Sequence, residues 1–158
     1  MESKNRTVEI MWEDYLKSIG ENLDNTDKKY DSWYFCDNKK SADELAKLVK
    51  QGIKRATTGL YYSYEVEGDK LPEVGEISIV VNWDNEAQCI IQTKKVSITP
   101  FNEVSEEFAR REGEGDKSLE YWRREHIDFF TKELESEKLD FSEDMLVVCE
   151  EFELIYKG

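Results

Sequence analysis

The chain has 158 residues, 39% of them hydrophobic and 12% aromatic. That suits one domain with a real core and does not suit a disordered chain. A formal net charge of −14 argues against broad, salt-driven binding to a nucleic-acid backbone, although a pocket for one nucleotide needs only local charge. There is no run of about 18 apolar residues to span a membrane, and the start, MESKNRTVEIMWEDYLKSIG, lacks a secretory pattern. A cytoplasmic protein is expected.

Residues 7–19 predict an amphipathic helix, with a stripe through Ile10 or Met11, Tyr15 or Leu16, and Ile19. Gly20 and the polar run after it form a linker. The aromatic stretch WYFC at 33–36 reads as a short strand or extended packing segment. Ser41 to Gln51 is a helix: Ser41 and Glu44 form a capping box, and Ala42, Leu45, Ala46, Leu48, Val49 and Ile53 make the buried face. Gly52 ends it, and KRATTGLYYSYEVEG reads as extended.

Pro72 and Gly75 turn the chain into a strand at 76–83, and DNE at 84–86 is a hairpin turn. A long strand follows at 87–99, closed by Pro100. Helices are predicted at 103–111 and 118–134, and MLVVCEEFELIY forms a final strand. Helices and strands mix without βαβ regularity, so the fold class is α+β: a mostly antiparallel sheet or small barrel with helices outside.

Cys36, Cys89 and Cys149 are far apart and form no CxxC pair, so buried thiols are expected and a zinc site is not. A single histidine, His126, makes Ser-His or Cys-His catalysis and His-rich metal sites hard to build. No cofactor and no metal are expected.

Three stretches carry possible chemistry. Glu112, Glu114 and Asp116 alternate with Gly113 and Gly115, as at the start of a calcium loop. Lys117 at the sixth position and Arg123 at the twelfth break that pattern. The plainer reading is a solvated helix break, with Asp116 or Ser118 capping the next helix. It does not say why Glu112 stands at the end of an apolar-faced helix. In the 118–134 helix, Leu119, Trp122, His126, Phe129 and Phe130 share a face. That is core spacing, with His126 a hydrogen-bonded structural histidine and Trp122 either core or a stacking surface for a base. In GIKRATTGL, Lys54 and Thr57 stand three apart after a helix end. A partly desolvated lysine can act as a base towards a hydroxyl, and a solvated lysine suiting the helix C-terminal dipole is the simpler alternative.

Together, SADELAKLVKQGIKRATTGLYYSYE, LPEVGEISIVVNWDNEAQCIIQTKKVSITPFNEV and FARREGEGDKSLEYWRREH resemble the longer bacterial ASCH-domain proteins. The resemblance covers roughly residues 33–156, leaving 1–32 as an N-terminal helix and linker packing on an ASCH domain at 33–158. It implies a PUA-like fold, a small mostly antiparallel β-barrel flanked by helices, and a role related to RNA or nucleosides. The family's GxKxxT signature stands here as Gly52, Lys54 and Thr57.

A smaller ASCH-like branch contains bacterial N4-acetylcytidine amidohydrolases, to which the chain is distantly similar. There a lysine and a threonine three apart work with a later glutamate. Lys54 and Thr57 match the first two, and Glu112, after FARR, matches the third. The resemblance implies that neutral Lys54 takes the proton of Thr57, Thr57 attacks the acetyl carbonyl, and protonated Glu112 donates to the leaving amine. Arg55, Tyr64, Glu114 and Trp122 are candidate substrate contacts. Where those amidohydrolases carry an arginine two residues after the threonine, this chain has Gly59.

Three functions follow as expectations: a metal-independent hydrolase acting on a modified nucleoside amide, a single-stranded RNA-binding module or ribonuclease using the same cleft, or a non-catalytic small-molecule or partner-binding domain. A nucleoside or single-stranded RNA fragment is the expected partner. RNA calls for a basic track with exposed aromatics, and the sequence offers scattered pairs: Lys39–Lys40, Lys94–Lys95, Arg110–Arg111 and Arg123–Arg124.

Overall fold

Alternating apolar residues after Gly75 dictate the first hairpin of the sheet. In the computed structural model, which describes residues 2–158 and only the backbone of 2–5, the strand β3 runs Ile77–Val81 and pairs antiparallel with β4, Ala87–Pro100. Ile79 faces Ile90 and Val80 faces Cys89, with a bulge between Val80 and Val81. Asn85 turns the hairpin at φ +64°, a conformation that asparagine tolerates well. The remaining strands are β1 at Asp31–Trp33, β2 at Ala56–Leu60 and β5 at Leu146–Tyr156. The order is β1-β3-β4-β5-β2. The β1–β3 pair is parallel, whereas β3–β4 and β2–β5 are antiparallel. Strands β1 and β2 are edges, so the sheet is open and the expected closed barrel is not formed. The α+β class holds.

The described residues divide into two compact units. The first comprises the described residues up to 53 together with 74–94 and 152–158. In it α1 (Glu2–Ser18) buries Val8, Trp12, Tyr15 and Leu16 against Ile77, Ile79, Val81 and Ile90. Of the stripe read as Ile10 or Met11, Tyr15 or Leu16, and Ile19, the residues Met11, Tyr15 and Leu16 pack on this core, whereas Ile10 and Ile19 are exposed; Val8 and Trp12 complete the inward side, four and three residues from their neighbours on it. Helix α2 (Lys39–Lys50) packs Ala46 and Val49 with Val80, Cys89 and Ile91. All five β3 residues are therefore buried: odd positions meet α1, and Val80 meets α2. The N-cap of α2 is Asn38, whose side chain accepts from the Ser41 N–H. An equally good capping residue thus starts the helix ahead of the Ser41 box. Ile53, expected on its buried face, is exposed.

The second unit comprises residues 54–73 and 95–151. Its core joins Ala56, Leu60, Val147 and Cys149 to Phe101, Phe108, Trp122, Phe130 and Leu134. Helices α4 (Glu106–Glu112) and α5 (Leu119–Glu135) lie close to the predicted spans. The stretch after β2 corrects the extended reading: Tyr61–Glu67 forms a helix, α3, ended by Gly68 at φ +69°. Tyrosine and valine favour strands only when a partner strand is available. Cys89 and Cys149 are buried as expected, whereas Cys36 is exposed. Among the described residues, no helix is long and apolar enough to cross a membrane.

Leu16 is fully buried in the first unit's core, so Leu16→Ala should cost about 2–5 kcal/mol. Urea unfolding should show a lowered midpoint if α1 is part of that cooperative unit. An unchanged midpoint would mean that α1 contributes nothing to it.

Candidate functional site

Lys54 stands just before β2, and Glu112 is the last residue of α4. Helix α2 closes in a Schellman turn: Gly52 at φ +76° donates to Val49 O, and Ile53 N donates to Leu48 O. The chain then runs through Lys54 into β2. Helix α4 starts at Ser105, whose Oγ accepts from Phe108 N, and its last residue is Glu112. Gly113 follows at φ +70° and donates to Arg110 O. This reversal brings Glu114 back beside Glu112. Gly115 (φ +55°) lies against the Tyr121 ring so closely that a Cβ there would sit 2.3 Å from it. Ser118 caps α5, and Trp122 and His126 project one turn apart from it.

Strand β2, the end of α4, the turn after it and α5 converge on Lys54 and Glu112, each only 1% exposed. The Lys54 ammonium donates to Ala56 O at 2.8 Å, Glu112 Oε1 at 3.0 Å and Glu114 Oε2 at 2.8 Å. Glu112 Oε2 accepts from the Thr58 hydroxyl at 2.6 Å and from the Trp122 indole N–H. His126 Nε2 lies 3.3 Å from the same oxygen. His126 Nδ1 faces Trp122 O at 2.8 Å. A carbonyl and a carboxylate both accept, so the protonated ring, with an N–H on each nitrogen, is the form that satisfies both contacts.

The charges hold one another. Burial disfavours the Lys54 ammonium, but Glu112 and Glu114 outweigh it and keep its pKa above the usual lysine value. Burial likewise disfavours the Glu112 carboxylate, and Lys54, His126 and the Thr58 hydroxyl together hold it well below the usual carboxylate range. His126 is raised because Glu112, with Trp122 O, overcomes its burial. In the resting protein the proton sits on Lys54 and Glu112 is ionised.

Of the residues singled out from sequence, Lys54, Glu112, Glu114 and Trp122 come together. Trp122 does so as a buried donor to Glu112, stacked on Phe101 and His126. Thr57 does not join them. Side chains alternate along β2, and Ala56, Thr58 and Leu60 take the face of the core and Glu112. Thr57 points to the other face. Arg55 is exposed, and its backbone N–H donates to Arg111 O at 2.7 Å. Tyr64 packs over Gly59, where a Cβ would meet its ring at 3.3 Å. Tyr64 also lines a shallow cavity of about 240 Å³ with Gly59, Leu60, Ser63, Glu67, Asp69 and Glu133. Thr58 was missed by the spacing argument, yet it was visible in the alternation of the apolar Ala56 and Leu60 around it. The one histidine was legible as structural but not as a partner of Glu112.

The ASCH domain family model matches residues 31–156. A crystallographic ASCH domain from Lactobacillus crispatus JV V101 is 38% identical, with a TM-score of 0.88 over 96% of this chain and 95% of that one. A protein from Enterococcus faecalis V583 is 35% identical, with a TM-score of 0.83 over 96% of this chain and 90% of that one. No curated protein matches significantly in sequence. The chain belongs to the ASCH-domain family, within the PUA-like superfamily.

Two predictions follow from the cluster. Glu112 has a lowered pKa, so its contribution to stability is complete above the ordinary value of 4.5 and is lost as pH falls below it. His126 has a raised pKa, so its contribution is complete below 6.5 and is lost as pH rises through the folded value. The cluster should therefore stabilise most between these limits. In urea titrations across pH, Glu112→Gln should flatten the acid side of the profile. Separately, Gly115→Ala should lower stability by about 1–3 kcal/mol through left-handed strain, with a further loss from the Tyr121 clash, read as a drop in Tm.

Proposed function

We propose that this ASCH protein is a hydrolase acting on a small modified-nucleoside amide of the N4-acetylcytidine type, with Lys54 and Glu112 at its centre. The observation that carries this reading is the buried Lys54–Glu112 pair at 3.0 Å with a threonine hydroxyl on the carboxylate. It combines a hydroxyl, a proton acceptor and a fixed cation, which is what acyl transfer uses.

In this reaction a threonine Oγ attacks the acetyl carbonyl and its proton passes to Glu112. The Lys54 ammonium faces the carbonyl oxygen as negative charge gathers there. Collapse breaks the C–N bond, and the amine leaves with the proton from Glu112. Water then cleaves the acyl-threonine, releasing acetate and restoring the hydroxyl. This assignment suits the resting charges better than a neutral Lys54 and a protonated Glu112. The threonine implied by the resemblance is Thr57, and the threonine in contact with Glu112 is Thr58.

The surface favours a small ligand over RNA. Lys39 pairs with Asp43 and Asp84, Lys94 with Glu153, Lys95 with Glu151, and Arg111 with Glu107 and Glu151. Cations already matched by carboxylates release few counterions on meeting a polyanion.

The test is hydrolysis of N4-acetylcytidine by the purified protein. Lys54→Ala and Glu112→Gln should each lower kcat/KM by at least about 100-fold, the scale of one lost electrostatic or acid–base group. Thr57→Ala and Thr58→Ala, assayed beside them, identify the nucleophile as the variant with no burst of acyl-enzyme. Absence of turnover at high enzyme concentration would reject the reading.

A further inference from the structure

Lys54 has hydrogen-bond partners of two kinds. Ala56 O and the Glu112 carboxylate are buried and built into β2 and the end of α4. Glu114 is different. Its side chain is 27% exposed, and it stands between two glycines in the left-handed region, Gly113 at φ +70° and Gly115 at φ +55°. Of these three partners it alone reaches solvent, and it belongs to no helix or strand.

Charge accounting gives Glu114 a definite role. The Lys54 ammonium faces two carboxylates, Glu112 at 3.0 Å and Glu114 at 2.8 Å, and His126 Nε2 lies 3.3 Å from Glu112. Without the Glu114 carboxylate the buried ammonium would lose its 2.8 Å hydrogen bond to an anionic oxygen. A buried unpaired charge is costly, so this position needs an anionic oxygen, whether its own or a ligand's.

We propose that Glu114 is a displaceable internal carboxylate and that the site beneath it binds a small oxyanion, a carboxylate or phosphate group, on the Lys54 ammonium. The ligand takes over the hydrogen bond that Glu114 makes at 2.8 Å, and Glu114 swings to solvent on its flanking glycines. No bond is made or broken. This goes beyond the hydrolase reading and does not depend on it. In that reaction the ligand would be the acetate released, and displacement of Glu114 would free Lys54 to face the carbonyl oxygen.

The experiment titrates the full chain with 13C-acetate and, separately, with inorganic phosphate. The Trp122 indole N–H resonance, assigned through Trp122→Phe, serves as the local readout because that group donates to Glu112. Wild type should bind weakly, because the ligand competes with a tethered carboxylate. Glu114→Ala should bind at least about 10-fold tighter, with the Trp122 resonance shifting on titration and Tm rising with ligand as linkage requires. Glu114→Gln keeps the volume without the charge and should also tighten binding, by a smaller factor. Whichever anion binds identifies the ligand class. Equal binding by wild type and both variants, or binding that leaves the Trp122 resonance unmoved, would overturn the proposal. A protein that hydrolyses nothing but shows Glu114-dependent acetate binding keeps this inference and loses the hydrolase. The converse result separates them the other way.

Discussion

The second unit is organised around one buried ion pair, Lys54 with Glu112. Taking two charges out of water costs several kcal/mol per ion, and their mutual attraction offsets that only when the remaining donors and acceptors are also satisfied. Here the surrounding elements supply them. Strand β2 contributes Ala56 O and the Thr58 hydroxyl, the turn after α4 contributes Glu114, and α5 contributes the Trp122 indole and the His126 ring. The pair therefore ties β2, α4 and α5 to one point and specifies how they meet. Removing either member would strand the other as an uncompensated buried charge.

The acidic turn makes sense in this light. Glu112 closes α4 because a helix end aims its side chain at Lys54. Gly113 must follow because only a left-handed residue can return Glu114 to the same ammonium. Gly115 must be small because the Tyr121 ring lies on it, with Arg124 over that ring at 5.5 Å. Asp116 accepts from the Ser118 N–H and so supports the start of α5. Three acids that look alike in sequence have three separate tasks.

The net charge of −14 does not leave the basic residues as a free track. Several of those read as pairs in the sequence are engaged by nearby acids, most of them at exposed positions where such bridges add little stability.

Much of this was legible in the chain. The β3–β4 hairpin, α2, α4, α5 and the last strand follow from periodicity and from glycine and serine signals, because those signals are local. The association of Lys54 with Glu112 was carried by the resemblance of three sequence blocks, since nothing in a spacing of 58 residues points to contact. The burial of both charges, their pKa shifts and the contact of Thr58 with Glu112 were not legible. Those depend on which face of β2 meets the core, and a one-residue difference reverses that. Helix α3 and the open edges of the sheet were hidden for a related reason, since a strand-like composition forms a strand only where a neighbour offers hydrogen bonds. The sequence by itself determined most of the elements and the family. Tertiary structure alone decided which residues share a buried, low-dielectric point, because desolvation and pairing are properties of the packed interior and not of the chain.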